Sequence, residues 1–289
     1  MFVHGDNLTQ KENHRTKYTD GLSKQYLTEI REKYNEWKKA NEELIGPFAE
    51  ATPEDEAIVK KRVELLNDYK DFVDQQHYAE KFDSRSNLHS SILEEFVYYL
   101  FKDIAKSFND EAIVGKSHAF KDLFINPSSY KDMVTQPNVK VEIKDHDFII
   151  GVGIEAKMIV KGSTEIENHT LEVAAVAIEC KTYLDKTMLE GSSVAAEQLK
   201  SRNPNAKYIV VSEWLKLSEQ VNLQKYKVDQ IYVLRKQKNT DREFRYADTY
   251  VKNAIHEDVV LHLFHTIRLH LTTEWDGSIS HGIDRGYLL

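Results

Sequence analysis

The chain has 289 residues, 41% of them hydrophobic and 30% charged, the balance of an ordinary globular protein with enough apolar residues to bury a sizeable core. No stretch reaches the roughly 18 consecutive apolar residues of a spanning helix, and the opening MFVHGDNLTQKENHR lacks the apolar run of a secretory signal, so the cytoplasm is the expected compartment. A single cysteine, Cys180, excludes an internal disulfide framework and a multi-cysteine zinc site, and the net charge of -8 argues mildly against generic nucleic-acid binding, though a local basic cluster can stand within an acidic average.

From Leu22 to Leu44, the residues Leu22, Tyr26, Ile30, Tyr34 and Trp37 recur at helical spacing and predict a helix that Gly46 and Pro47 stop. A second helix starts in ATPEDE, where Thr52 can cap, Pro53 suits the first turn, and Glu54, Asp55 and Glu56 meet the positive end of the helix dipole. Ile58, Val63, Leu65, Leu66, Tyr69 and Phe72 supply its apolar side to about Gln75. The pair reads as a hairpin, giving an N-terminal helical region over residues 1–84. A third helix lies in SSILEEFVYYLFKDIAKSF, where Ile92, Leu93, Phe96, Val97, Leu100, Phe101 and Ile104 make a thick core face and Glu94 stands just beyond its edge.

Residues 109–137, with loop signals at INPSS and TQPN, read as irregular. At Val139 the period changes to two: Val139, Val141 and Ile143 alternate with Lys140, Glu142 and Lys144 before the continuous run DFIIGVGI. After a polar turn region, KGSTEIENH, the next strand is LEVAAVAIECK. A helix from about Ser193 to Arg202, the strands KYIVVSEWL and DQIYVLR, and a helix from about Ala254 to Leu271 complete the order. Helices flanking several apolar strands predict an α/β sandwich around one sheet, here over residues 85–289.

The chemistry gathers at the end of the strand VAAVAIECK. Side chains alternate across a strand, so Val176, Ile178 and Cys180 point one way, while Ala175, Ala177, Glu179 and Lys181 point the other. Cys180 then belongs to the core, which leaves a nucleophilic role for it without support. Glu179 and Lys181 share a face and a rim, with room beside them left by the alanines. Upstream, Asp145 and Asp147 immediately precede an apolar strand, one strand and one turn away. An aspartate on one strand and a glutamate near a lysine on the next can meet around a hard divalent cation, and Mg²⁺ takes one or two carboxylates with water and phosphate oxygens. A lysine beside a metal-activated water or a scissile phosphate stabilises developing charge, which suits phosphodiester hydrolysis.

These residues resemble the PD-(D/E)xK nuclease superfamily, with Asp147 as first acid, Glu179 as second and Lys181 as the lysine. His146 stands where a proline is usual, which keeps Asp145 as a rival for Asp147. At closer range SILEEFVYYLF, KDHDFIIG, VAAVAIECKTYLDKTML, AAEQLKSRNP, YIVVSEWLKL and DQIYVLRKQKN resemble the subunits of BbvCI-type restriction endonucleases, over about residues 86 to 240. The resemblance implies a central mixed β-sheet flanked by helices, and a Mg²⁺-dependent type II restriction endonuclease that breaks double-stranded DNA. It also implies a second nuclease subunit, a related chain or a second copy, each cutting one strand of a short, nearly palindromic site. By the same resemblance Asp147 and Glu179 bind metal, Lys181 is catalytic, and Glu94, or its neighbour Glu95, adds an acid to the metal.

Candidates for contacting DNA are Arg235, Lys236, Lys238, Arg242 and Arg245, a basic segment around LRKQKNTDREFR, with residues 109–137 as the second choice. His256, His262, His265 and His270 fall on the last helix without an HExxH pattern, so helix packing explains them better than a metal. Two other readings remain: a subunit that binds DNA for a cutting partner, and a repair or junction nuclease. The intact acids and lysine weigh against the first, and the longer matches weigh against the second.

Overall fold

The apolar face expected on the third helix becomes the centre of the molecule. This helix, α5 (Leu88–Lys106), buries Leu88, Ile92, Leu93, Phe96, Val97, Leu100, Phe101 and Ile104. The structure, a computed structural model, describes residues 2–82, 87–239, 244–275 and 279–286. Against α5 lies a five-stranded mixed sheet in the order β1 (Ile113–Ile125), β2 (Val139–Ile159), β3 (Ile166–Leu184), β4 (Lys207–Leu215) and β5 (Gln230–Val233). The first three strands form an antiparallel meander, and β4 and β5 join in parallel after the crossover helix α7 (Lys186–Arg202). Phe148, Ile150, Val176, Ile178, Cys180, Ile209 and Val211 pack with α5 and α8 (Glu257–Thr272), while Ile149, Ala177, Tyr208 and Val210 pack with α7. Both sheet faces are therefore covered, as the near-continuous apolar runs of β3 and β4 require.

Ahead of the sheet come α1 (Val3–Glu12), α2 (Gly21–Glu43), α3 (Asp55–Val73) and α4 (Gln76–Lys81). Trp37 of α2 stacks on Tyr69 of α3, with ring centroids 5.0 Å apart. Buried Arg62 donates to the carbonyls of Asn41, Leu44 and Gly46 at 2.9, 2.7 and 3.0 Å, satisfying acceptors that the end of α2 leaves open. These helices share one hydrophobic cluster with α5, α8 and the sheet. Two short helices, α6 (Tyr130–Met133) and α9 (Ile279–Arg285), complete the set, and no helix among the described residues is long and apolar enough to cross a membrane.

The structure departs from the expectations in three places. Residues expected to be irregular contain β1, whose alternation is broken by register shifts at Gly115/Ser117 and Phe120/Asp122. β3 begins inside the polar stretch expected to be a turn, because its first half belongs to a partly exposed hairpin arm. That arm folds back over β1. Gly151 sits at a register shift where a methyl group would overlap the Val173 carbonyl, Glu172 accepts from Ser117, and Glu167 accepts from the Asn138 and Val139 amides at 2.8 and 2.9 Å. α7, finally, starts at Lys186 rather than near Ser193, capped by Asp185, whose carboxylate accepts from the Met188 amide at 2.8 Å.

Several histidines are buried. His4 has its ring between Ser91 Oγ at 2.8 Å and Tyr69 OH at 2.6 Å, and burial holds its pKa well below the ordinary 6.5. Burial likewise lowers His89, against the pull of Asp74, and pushes His146 down to about 4. The folded imidazoles stay neutral where the unfolded ones take protons. Their contribution to stability is complete above the unfolded value of 6.5 and is lost as pH falls below it toward the folded values. Denaturant midpoints should therefore drop on acidification below about pH 6.5, with up to ~1.4 kcal/mol per pH unit for each histidine. The drop should be shallower in His4→Gln; an equal slope in that variant would exclude His4 as a contributor.

Candidate active site

β2 and β3 stop pairing just beyond Phe148, which lies opposite Ile178. At that point β3 continues against β4, with Cys180 opposite Val211, and the Asp147 carboxylate takes over from the lost partner: its Oδ2 accepts the Cys180 amide at 2.9 Å. The same bond aims Asp147 across the end of the ladder toward Glu179 and Lys181. Lys181 Nζ lies 2.6 Å from Glu179 Oε1 and 3.4 Å from Asp147 Oδ2. Tyr208, fully buried on β4, donates from its hydroxyl to Glu179 Oε2 at 3.1 Å.

The electrostatics follow from this crowding. Burial and the neighbouring Glu179 raise the Asp147 pKa, against the opposing pull of Lys181. For Lys181 burial works to lower the pKa, but Asp147 and Glu179 prevail and hold it well above its ordinary value, as an ammonium. Burial first, then Glu179, raises the Tyr208 phenol, so it remains a donor. His146, in the position where proline is usual, packs edge-on against Tyr208 at 5.8 Å.

The rival acids separate cleanly. Asp145 is exposed and pairs with His118, its register partner on β1, rather than with Glu179 or Lys181. Glu94 reaches the corner from α5: burial and then Asp147 raise its pKa, and Lys116 of β1 pairs with it at 3.2 Å. Glu95 points the other way into the helices. It accepts the His4 and Gly5 amides at the start of α1 at 2.8 and 3.2 Å, and the hydroxyls of Tyr34 and Tyr99 at 3.0 and 2.9 Å.

A cavity of about 300 Å³ opens at this corner, lined by Lys144, Glu179, Lys181, Met188, Gly191, Ser192, Ala195 and Tyr208. Among the described residues no three His, Cys, Asp or Glu side chains are grouped as a metal cage. Two carboxylates from adjoining strands, Glu179 lining the cavity and Asp147 sharing Lys181 with it, nevertheless suit a hard cation that keeps water or phosphate oxygens in its shell. The histidines of α8 do not compete for this role: His262 bonds Tyr232 OH at 3.0 Å, His265 meets Arg268 at 3.1 Å, and His270 stacks on Trp275.

One member of the basic segment is not at the surface. Arg235 is fully buried, donating to Glu213 at 3.0 Å and to the Asn253 carbonyl at 2.5 Å, with Asp74 at 3.3 Å. Lys70 lies 2.9 Å from both Asp74 and Glu213, so Arg235 belongs to an internal charge network, and that burial removes it from the DNA-contacting candidates. Lys236 pairs with Asp258 and Lys238 with Glu219, while the Arg245 guanidinium lies over the rings of Tyr183, Trp214 and Tyr246. Arg242 lies outside the described residues. Tyr208, Lys116 and Lys144 were the residues sequence reasoning passed over. Their bearing on the corner depends on strand register, which no local pattern carries.

A five-stranded mixed sheet with helices on both faces is the restriction-endonuclease-like fold. The family model described as Bpu10I restriction endonuclease matches residues 85–288, and the chain belongs to that family. The chain is also similar to a solved structure described as the native BbvCI A2B2 tetramer at low resolution, with a TM-score of 0.66, 18% sequence identity, and coverage of 94% of this chain and 97% of that one. No curated protein matches it.

The two neighbouring glutamates should respond oppositely to substitution. Glu95→Ala leaves buried donors without an acceptor and should cost about 3 kcal/mol in denaturant unfolding. Glu94→Gln removes a carboxylate whose ionisation the fold opposes and should leave stability unchanged or slightly higher. Equal losses for both variants would contradict this division.

Proposed function

We propose that this restriction endonuclease is Mg²⁺-dependent, and that the chain is one of two cutting subunits acting on double-stranded DNA at a short, asymmetric site in the cytoplasm. The observation that carries the reading is the Lys181 ammonium between the Asp147 and Glu179 carboxylates at the mouth of a cavity. The A2B2 assembly named for the solved BbvCI structure supports unlike subunits, and an asymmetric target goes with unlike subunits, as a palindrome goes with a two-fold axis.

Asp147 and Glu179 hold the metal, with Glu94 as the additional acid. Bound Mg²⁺ supplies charge compensation at the phosphate oxygens. Lys181 faces the scissile phosphate and stabilises the charge that develops as water attacks phosphorus in line with the leaving oxygen. The Cys180 amide fixes Asp147, and the Tyr208 hydroxyl fixes one oxygen of Glu179, so both carboxylates are oriented before DNA arrives.

The test is cleavage of supercoiled plasmid by the chain with its companion subunit and Mg²⁺. Lys181→Glu should cut the strand assigned to this chain at least about 100-fold more slowly and so convert a double-strand break into a nick. Removal of the divalent cation with EDTA should stop both cuts. Full double-strand cutting by Lys181→Glu would refute the assignment.

A further inference from the structure

The cavity at the acid corner does not end there. It shares Lys144, Gly191 and Ala195 with a second cavity of about 490 Å³, and together they make a groove between β2 and α7 that leads away from Glu179 and Lys181. The charges along the second part are Lys121, Lys144 and Asp145. Lys121 is paired with Glu142, and the Asp145 carboxylate is hydrogen-bonded to His118. Lys144 makes no hydrogen bond or ion pair among the described residues, which leaves its ammonium available to a ligand, and it lines the same cavity as Glu179 and Lys181.

The opposite wall points the same way. Gly191 lies in the middle of α7, where glycine costs about 1 kcal/mol relative to alanine. A methyl group there would touch nothing within 4 Å, so no close protein packing calls for the glycine. What it leaves is an open groove beside the Lys144 ammonium, continuous with Glu179 and Lys181. A polyanionic strand fits that chemistry.

We infer that the groove between β2 and α7 carries the DNA backbone on one side of the scissile phosphate, and that Lys144 is a positioning residue binding a flanking phosphate. The inference rests on the nuclease reading of the Asp147, Glu179 and Lys181 corner. One lysine–phosphate contact releases about one counterion, so its loss should lower the slope of log affinity against log salt by about 0.9.

The experiment measures binding of a fluorescent duplex by the assembled enzyme in Ca²⁺ over a salt series, and plasmid cleavage in Mg²⁺, for wild type, Lys144→Ala, Lys144→Arg and Lys181→Ala. Lys144→Ala should bind several-fold more weakly with the shallower slope and show a raised KM at nearly unchanged kcat. Lys144→Arg should restore both. Lys181→Ala serves as the control for chemistry and should lose cutting by this chain. Unchanged affinity, slope and KM in Lys144→Ala would overturn the inference while leaving the nuclease reading intact, provided Lys181→Ala fails to cut. A wild-type assembly that neither binds nor cuts DNA would overturn both.

Discussion

The bond from the Cys180 amide to the Asp147 carboxylate is where the fold and the chemistry meet. An amide at the end of a strand ladder needs an acceptor, and a side chain supplies one only if it is held close to the sheet plane. Asp147 satisfies that need, and in doing so it faces Glu179 in a partly buried corner where two carboxylates repel. Lys181 then becomes necessary to the arrangement, because its ammonium is what allows both acids to stay together. The parting of β2 from β3 thus produces an acid pair, a cation and an open side in one step.

Around that corner the groups are graded by how firmly they are held. Tyr208 is fully buried and makes one directed bond to Glu179. Glu94 and Lys116 form a looser pair at the edge of the corner, the lysine side chain about half exposed at 48%. Lys144 is partly exposed and makes no ion pair among the described residues. Rigid groups close to the acids and adaptable ones farther out are what a large, flexible polyanion requires, since its nearest phosphate must be placed accurately while its neighbours need only be attracted.

Much of this was legible in the sequence. The alternation in VAAVAIECK put Cys180 in the core and Ala177 on the opposite face with Glu179 and Lys181; the structure keeps that division but buries Ala177 against α7 rather than leaving it open. The thick face of α5, the two-period start of β2 and the apolar run of β4 were equally plain. β1 was missed because register shifts scramble its alternation and its charged residues sit at the sheet edge. Arg235 misled for a different reason: a sequence shows that it is charged but not that Glu213 on β4 and the distant Asp74 draw it inside. Glu94 and Glu95 are adjacent and chemically alike, and only the packing of α1 against α5 tells which of them faces inward.

The internal charge network has a consequence for any shortened form of the protein. Lys70 comes from α3 and Asp74 from its C-cap, His89 from α5, Glu213 from β4, and Arg235 from the segment after β5. A chain trimmed to the family-matched residues 85–288 would keep Glu213, Arg235 and His89 but lose Lys70 and Asp74, and Glu95 would lose His4, Gly5 and Tyr34 as donors. Breaking a single buried ion pair costs about 3–5 kcal/mol, comparable to a large part of a domain's whole stability. The N-terminal helices are therefore not a detachable appendage. They complete a buried charge network in which the core's own Glu213 and Arg235 have further partners, Lys70 and Asp74.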